Sequence, residues 1–160
     1  MIKSIAKWVA SQKAVGVPTL LALRMVGMTA SARRIAYLCK FAPQVISIRR
    51  NGFSFQMSGN DGHDQIPNRI WWHGWEHYEH PMPDLFVAFA RQSRVIVDVG
   101  ANSGFYTLIA LSCSRAVVHA FEPFPPCQKI FTANLSLHPH ANRAHLHTAA
   151  AGEARGLTQL

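Results

Sequence analysis

Between Arg94 and Pro123 the chain alternates apolar runs with a glycine-bounded turn and a helical pattern. Val95-Ile96-Val97-Asp98-Val99 is a β-branched run broken by one carboxylate, the pattern of a strand buried on both faces of a parallel sheet. Gly100-Ala101-Asn102-Ser103-Gly104 reads as a tight turn, and Phe105, Leu108 and Ile109 then recur at helical spacing. Val117-Val118-His119-Ala120-Phe121 repeats the strand pattern and ends in Glu122, 24 residues after Asp98. A right-handed βαβ unit makes the two strands neighbours, so Asp98 and Glu122 should emerge side by side at the carboxyl edge of the sheet, where open α/β sheets bind ligands.

The same reading extends in both directions. Asp84 to Gln92, with Leu85, Phe86, Ala88 and Phe89, predicts a helix before the first strand. Pro125-Pro126 suits a helix start, with Cys127, Ile130, Phe131 and Leu135 on its apolar face and Asn134 as a solvated or capping residue. His145 to Ala150 reads as a third strand and Ala151-Gly152-Glu153 as the turn after it. Upstream, Val45 to Arg50 and Phe53 to Met57 flank Asn51-Gly52, a strong short-range hairpin signal. Ser58 to Pro67 reads as a loop. Ser31 is a candidate cap for a helix through Phe41, and Ile2, Ile5 and Val9 mark a short amphipathic helix with Lys3 and Lys7 on another face. Ala14 to Leu23 is split by Pro18 and stopped by Arg24. It is shorter than the about 20 apolar residues a bilayer span needs, and is read neither as a span nor as a signal peptide.

The turn decides what the strand tips can hold. Glycine at 100 allows positive φ and close approach by a ligand, and glycine at 104 lets the first helical turn sit closely. A helix N-terminus then faces the ligand with its N–H groups. The dinucleotide fingerprint requires glycine at the first, third and sixth positions, which here are Gly100, Asn102 and Phe105, so pyrophosphate is disfavoured. A carboxylate ending the second strand, Glu122, can accept both hydroxyls of a ribose. An adenosine carrying a compact zwitterion meets these demands, and S-adenosylmethionine is such a molecule.

VIVDVGANSGFYTL, then VVHAFEP, Asn134-Leu135 and a strand near Thr148-Ala149-Ala150 together resemble the FkbM-type branch of the class I S-adenosylmethionine-dependent methyltransferases. The likeness runs from about Trp75 to the last residue and takes in Trp75-Glu76-His77-Tyr78-Glu79. It implies an α/β, Rossmann-like class I methyltransferase fold and O-methylation of a hydroxyl on a glycan or secondary metabolite. By the same likeness Glu79 approaches the methionine amino group with Tyr78 and Trp75 as walls, although a purely structural aromatic cluster stays open. Gly100, Ala101, Asn102 and Gly104 shape the turn, and Asp98 serves the turn and the donor's charged end, with a buried structural aspartate bonding turn N–H groups also open. Glu122 takes the ribose; Pro123 and Phe124, counted with the cofactor-binding residues, begin the loop after it with Phe124 against the adenine, and Ala150 borders the adenine through backbone groups. The implied sheet is larger than the three strands legible here, so the fold is expected to be truncated after the third parallel strand, as a fragment, a shortened product or a chain completed by a partner. Acceptor groups and a catalytic base would follow later strands, and no catalytic residue is assigned.

Length and composition fit this picture: 160 residues, 49% of them hydrophobic, with mean hydropathy near zero. Residues 1–70 read as a basic helical segment with a hairpin, and 71–160 as the cofactor-binding half of the catalytic domain. The net charge of +8 divides into +9 over residues 1–50, −3 over 51–83 and +2 over 84–160. Attraction to nucleic acid, or peripheral contact with an anionic membrane, therefore rests on the first fifty residues. An open sheet edge favours self-association. Cys39, Cys113 and Cys127 lack Cys-x-x-Cys spacing and suit a reducing cytoplasm, with Cys113 and Cys127 as helix-borne apolar groups. His73, His77 and His80 share a helical spacing without a clear fourth ligand, so no metal is expected. The other histidines are read as surface groups. Three alternatives stand beside this reading: an inactive remnant that at most binds the cofactor, another nucleotide-binding α/β protein, and methylation of nucleic acid, which rests only on the basic first fifty residues.

Overall fold

The computed structural model describes Arg34, Tyr37 and residues 42–50, 52–60, 63–154 and 156. They fall into two compact units, one formed by the chain up to Ile46 with Ser58–Tyr78, the other by Ser47–Met57 with the chain from Glu79 onward. The expected helix over the first twelve residues, the Ala14 to Leu23 stretch and Cys39 lie outside the described residues. Of the helix expected from Ser31, only Arg34 and Tyr37 are described, and both are helical.

β1 (Val45–Arg50) and β2 (Phe53–Ser58) form the hairpin expected from Asn51-Gly52. Their alternation puts Ile46, Ile48, Phe53, Phe55 and Met57 inside, the period of two that specifies one buried face. Within the second unit, Arg50 of β1 pairs with Asp84 through two contacts of 3.2–3.3 Å, and the Phe55 ring meets Phe105 edge-on at 6.0 Å.

The first unit corrects one expectation. Ser58 to Pro67 is not all loop, because α1 (Gln65–His73) begins at Gln65. Asp64 caps it, its side chain accepting from the Ile66 N–H at 3.0 Å, and Pro67 occupies the first turn, where its missing N–H costs nothing. Gly74 ends it, donating to the Ile70 carbonyl at 2.8 Å. A 3-10 turn, Trp75–His77, follows, and Trp72 and Trp75 are both buried. Trp75, expected as a pocket wall, is thus a buried side chain.

The second unit is mixed α/β, with a three-stranded parallel sheet compatible with a Rossmann-like fold. After α2 (Met82–Ala90) come β3 (Val95–Val99), α3 (Phe105–Cys113), β4 (Val117–Phe121), α4 (Pro125–Ser136) and β5 (Ala144–His147). The strand order is β3-β4-β5, with Val95 opposite Val117 and Val99 opposite Phe121. β5 pairs Ala144 with Val118 and His147 with Phe121. It is shorter than expected: Thr148 to Ala150 lie outside the strand, and Ala150 sits three residues beyond its end in an exposed segment.

One face of the sheet is covered. Ile96 and Val118 pack with Ala90 of α2 and Ala110 and Leu111 of α3. Ala120 packs with Ala101 and with Phe131 of α4. The opposite face departs from the doubly buried strand expected: Val95, Val97 and Val99 are 58%, 60% and 61% exposed. Parallel register also gathers on that face histidines that look scattered in sequence. His119 lies opposite His145 and Phe121 opposite His147, the Phe121 and His147 rings stack at 4.5 Å, and His119 Nδ1 stands 3.1 Å from His147 Nε2. Among the described residues, no helix is long and apolar enough to cross a membrane.

Candidate functional site

β3 and β4 are hydrogen-bonded neighbours of one direction, so their carboxyl ends leave the sheet together, as their apolar pattern requires. Gly100 and Ala101 both donate their N–H to the Phe121 carbonyl, at 2.9 and 3.0 Å, which folds the turn back over the tip of β4. Gly100 has φ +76°, Asn102 +50° and Gly104 +89°, a left-handed sequence that side chains resist. A Cβ added at Gly100 would meet nothing within 4 Å, so the chain leaves open space on that side of the turn.

Gly104 is different. A Cβ there would lie 2.9 Å from the Phe131 ring, so this glycine is fixed by α4 as well as by its backbone angle. α4 grips the turn at a second point, the Asn134 amide donating to the Ser103 carbonyl at 2.7 Å. Asn134 is fully buried, and the expectation of a solvated or capping residue is corrected. A buried carbonyl must be paired, and here the partner is a side chain 31 positions away.

Glu122 is buried beside the turn at 6% exposure. Its Oε2 accepts from the Asn102 N–H and its Oε1 from the Phe124 N–H, both at 2.8 Å. Its carbonyl accepts from Gln128 at 2.8 Å, and its N–H donates to the His147 carbonyl at 3.1 Å. A carboxylate has about four lone-pair directions; two are taken by the backbone and two are left. Glu122 therefore braces the turn, whatever else it holds. Pro123 and Phe124 follow it into α4, Phe124 with its ring half exposed.

The two remaining acidic groups are tied to consecutive residues in the first turn of α3. Asp98 Oδ2 accepts from the Thr107 hydroxyl at 2.6 Å, and Thr107 is buried. Burial raises the Asp98 pKa above its ordinary value, the charge of Glu122 adds to the rise, and the bonds from Thr107 offset part of it. Glu79, exposed, accepts from the Tyr106 hydroxyl at 2.7 Å. Negative groups are favoured at this end of a helix.

The structure thus brings Glu79, Asp98, Gly100, Ala101, Asn102, Gly104, Glu122, Pro123 and Phe124 to the turn, its flanking strand tips and the helix starts beside them. Ala150 lies three residues past the carboxyl end of β5, the strand parallel to β4. Sequence reasoning missed Tyr106, Thr107 and Asn134 as working residues. Tyr106 and Thr107 were hidden in a helical pattern that explains them as packing, though their hydroxyls directly follow the turn. Elsewhere, His73 and His77 rings lie 6.0 Å apart, and His80 approaches Asp84 at 3.9 Å. Among the described residues, no three His, Cys, Asp or Glu side chains converge on a metal position. Cys113 and Cys127 are partly buried in α3 and α4, and burial raises the Cys113 thiol. The chain matches no protein-family model, and a search of curated proteins finds no match.

Proposed function

We propose that the second unit is the donor-binding part of an S-adenosylmethionine-dependent methyltransferase of the FkbM type, acting on a hydroxyl of a glycan or secondary metabolite. The observation that carries this is the turn itself: Gly100 is open on its outer side while Asn102 is locked by the acidic tip of the next strand. That leaves a backbone surface against which a nucleoside can lie, flanked by Asp98 and Glu122 and faced by the start of α3. The donor supplies an electrophilic methyl on a sulfonium, with adenosine at one end and an ammonium and carboxylate at the other.

Each residue has a task that its surroundings allow. The two free lone-pair directions of Glu122 suit ribose hydroxyls, and its bonds to Asn102 and Phe124 keep it from rotating away. Asp98, held by Thr107, puts negative charge at the end meant for the donor's ammonium. Phe124 offers a half-exposed ring to a base. Because methyl transfer is an in-line displacement, holding donor and acceptor in near-attack geometry is the chief source of acceleration. The acceptor hydroxyl must lose a proton as its oxygen takes the methyl, which calls for a general base.

A second interpretation has its own observation. Both Glu122 oxygens already bind backbone N–H groups in part-buried bonds, so the acidic tip can be purely structural, as in a remnant that keeps the turn without the ligand. Calorimetry separates a ligand-binding tip from a purely structural one, and both from the dinucleotide-binding rival. Titration with S-adenosylhomocysteine is expected to show saturable one-site binding that NAD does not compete away. No heat with S-adenosylhomocysteine supports the purely structural tip, and preferred binding of NAD supports the dinucleotide protein.

A further inference from the structure

Glu79 is one of three described non-glycine residues at positive φ, with φ +49°, a conformation that costs a side-chain-bearing residue free energy. Its carbonyl accepts from the Met82 N–H at 2.8 Å at the entry to α2. Its carboxylate is held by the Tyr106 hydroxyl at 2.7 Å, across 27 positions and in an exposed setting. Exposed polar contacts return little stability, because water competes for both partners. Stability alone therefore gives no reason to keep an acidic residue in this strained state.

The phenol that holds it is well fixed. Tyr106 lies in the first turn of α3, two positions after Gly104. Its ring meets Phe86 of α2 edge-on at 5.0 Å and Phe105 at 5.3 Å. Two elements thus set the hydroxyl, and the hydroxyl sets the carboxylate. The next residue, Thr107, does the same for Asp98. One helical turn places two carboxylates, one from the strand tip and one from the segment before α2.

We infer that Tyr106 is a positioning residue that presents Glu79 to the cationic end of the bound nucleoside. The inference rests on the function proposed above and adds a residue and a selectivity to it: Tyr106 favours ligands that carry an ammonium over the same nucleoside without one. It acts through Glu79 and keeps that carboxylate oriented before the ligand arrives, which reduces the ordering cost of binding.

The test compares two ligands on the full chain. S-adenosylhomocysteine has the amino-acid end; 5′-methylthioadenosine is the same nucleoside thioether without it. Tyr106→Phe keeps the packed ring and removes only the hydroxyl. It is expected to weaken S-adenosylhomocysteine about threefold to tenfold and leave 5′-methylthioadenosine unchanged; Glu79→Gln should weaken the first by about tenfold or more and likewise spare the second. If both ligands weaken equally in Tyr106→Phe, the hydroxyl supports the pocket as a whole and the inference is wrong; if neither weakens, it is wrong as well. Wild-type protein that binds neither ligand overturns the proposed function itself. Should Tyr106→Phe fail to fold, Glu79→Gln at the exposed end of the pair gives the same comparison, and equal effects on both ligands overturn the inference.

Discussion

At the scale of single residues, the site consists of carboxylates whose roles are set by what already bonds them. Glu122 accepts from two backbone N–H groups, so Glu122→Ala leaves both without a partner beside a buried site. Both bonds are part-buried and their donors lie on exposed residues, so each contributes about 0.5–1.5 kcal/mol, and the variant is expected to lose about 1–2 kcal/mol of unfolding free energy as well as nucleoside affinity. Unchanged chemical denaturation would show that the brace contributes nothing. Asp98 behaves oppositely. Its folded pKa lies above the unfolded one because of burial, so the native state retains this proton to higher pH. Its contribution to stability is full below the unfolded value and is lost as pH rises through the folded value. Asp98→Asn keeps an acceptor for Thr107, and should melt higher than wild type at neutral pH and converge with it in acid. A lower melting temperature at neutral pH would contradict this.

Elements decide how accurately those residues are held, and α4 is the clamp. Gly104→Ala drives a Cβ into the Phe131 ring and forces a side chain into positive φ; the second effect alone costs about 1–2 kcal/mol. Pairing it with Phe131→Leu should recover part of the loss in a double-mutant cycle, and strict additivity would mean that ring and glycine do not touch. At the far end of α4, His138 Nδ1 accepts from the His140 N–H at 3.1 Å. Its Nε2 lies 2.8 Å from the Ser112 hydroxyl oxygen, whose proton goes to the Leu108 carbonyl. That network needs neutral imidazole with its proton on Nε2. Burial, then His140 and Arg143, lower its pKa to about 4. With the folded pKa below the unfolded one, this stability is present above about pH 6.5 and lost as pH falls toward 4, by about 2–3 kcal/mol. Unfolding free energies over that range should fall less steeply in His138→Asn; an equal slope would place the acid sensitivity elsewhere.

What was legible in the sequence divides along the same lines. The β3–α3–β4 unit was readable because β-branched runs and glycine punctuation are local signals, and the hairpin because Asn-Gly is one. α1 was missed because Pro67 reads as a breaker unless its place in a first turn is recognised. β5 was read too long because Thr148, Ala149 and Ala150 carry strand-compatible types without a partner to pair with. Glu122 was placed at the right tip, but its backbone bonds depend on how a left-handed Asn102 turns its N–H inward. Tyr106, Thr107 and Asn134 act through long-range contacts that no local pattern contains.

For the molecule as a whole, the sheet of the second unit leaves one face of β3 exposed. Val95, Val97 and Val99 present a stripe of apolar side chains on β3, which lies at the edge of its sheet among the described strands. Such edges favour pairing with another copy, and concentration-dependent association is expected in sedimentation, reduced in Val97→Lys. Equal association in the variant would place the contact elsewhere. The central claim, that the turn between two acidic strand tips receives a methyl-donor nucleoside, is met most directly by amide chemical shifts. On adding S-adenosylhomocysteine to ¹⁵N-labelled protein, the Gly100, Ala101, Asn102 and Phe124 amides should move together along one saturable isotherm, while those of β1 and β2 stay still. Movement confined to other regions, or no movement at saturating ligand, would contradict the account.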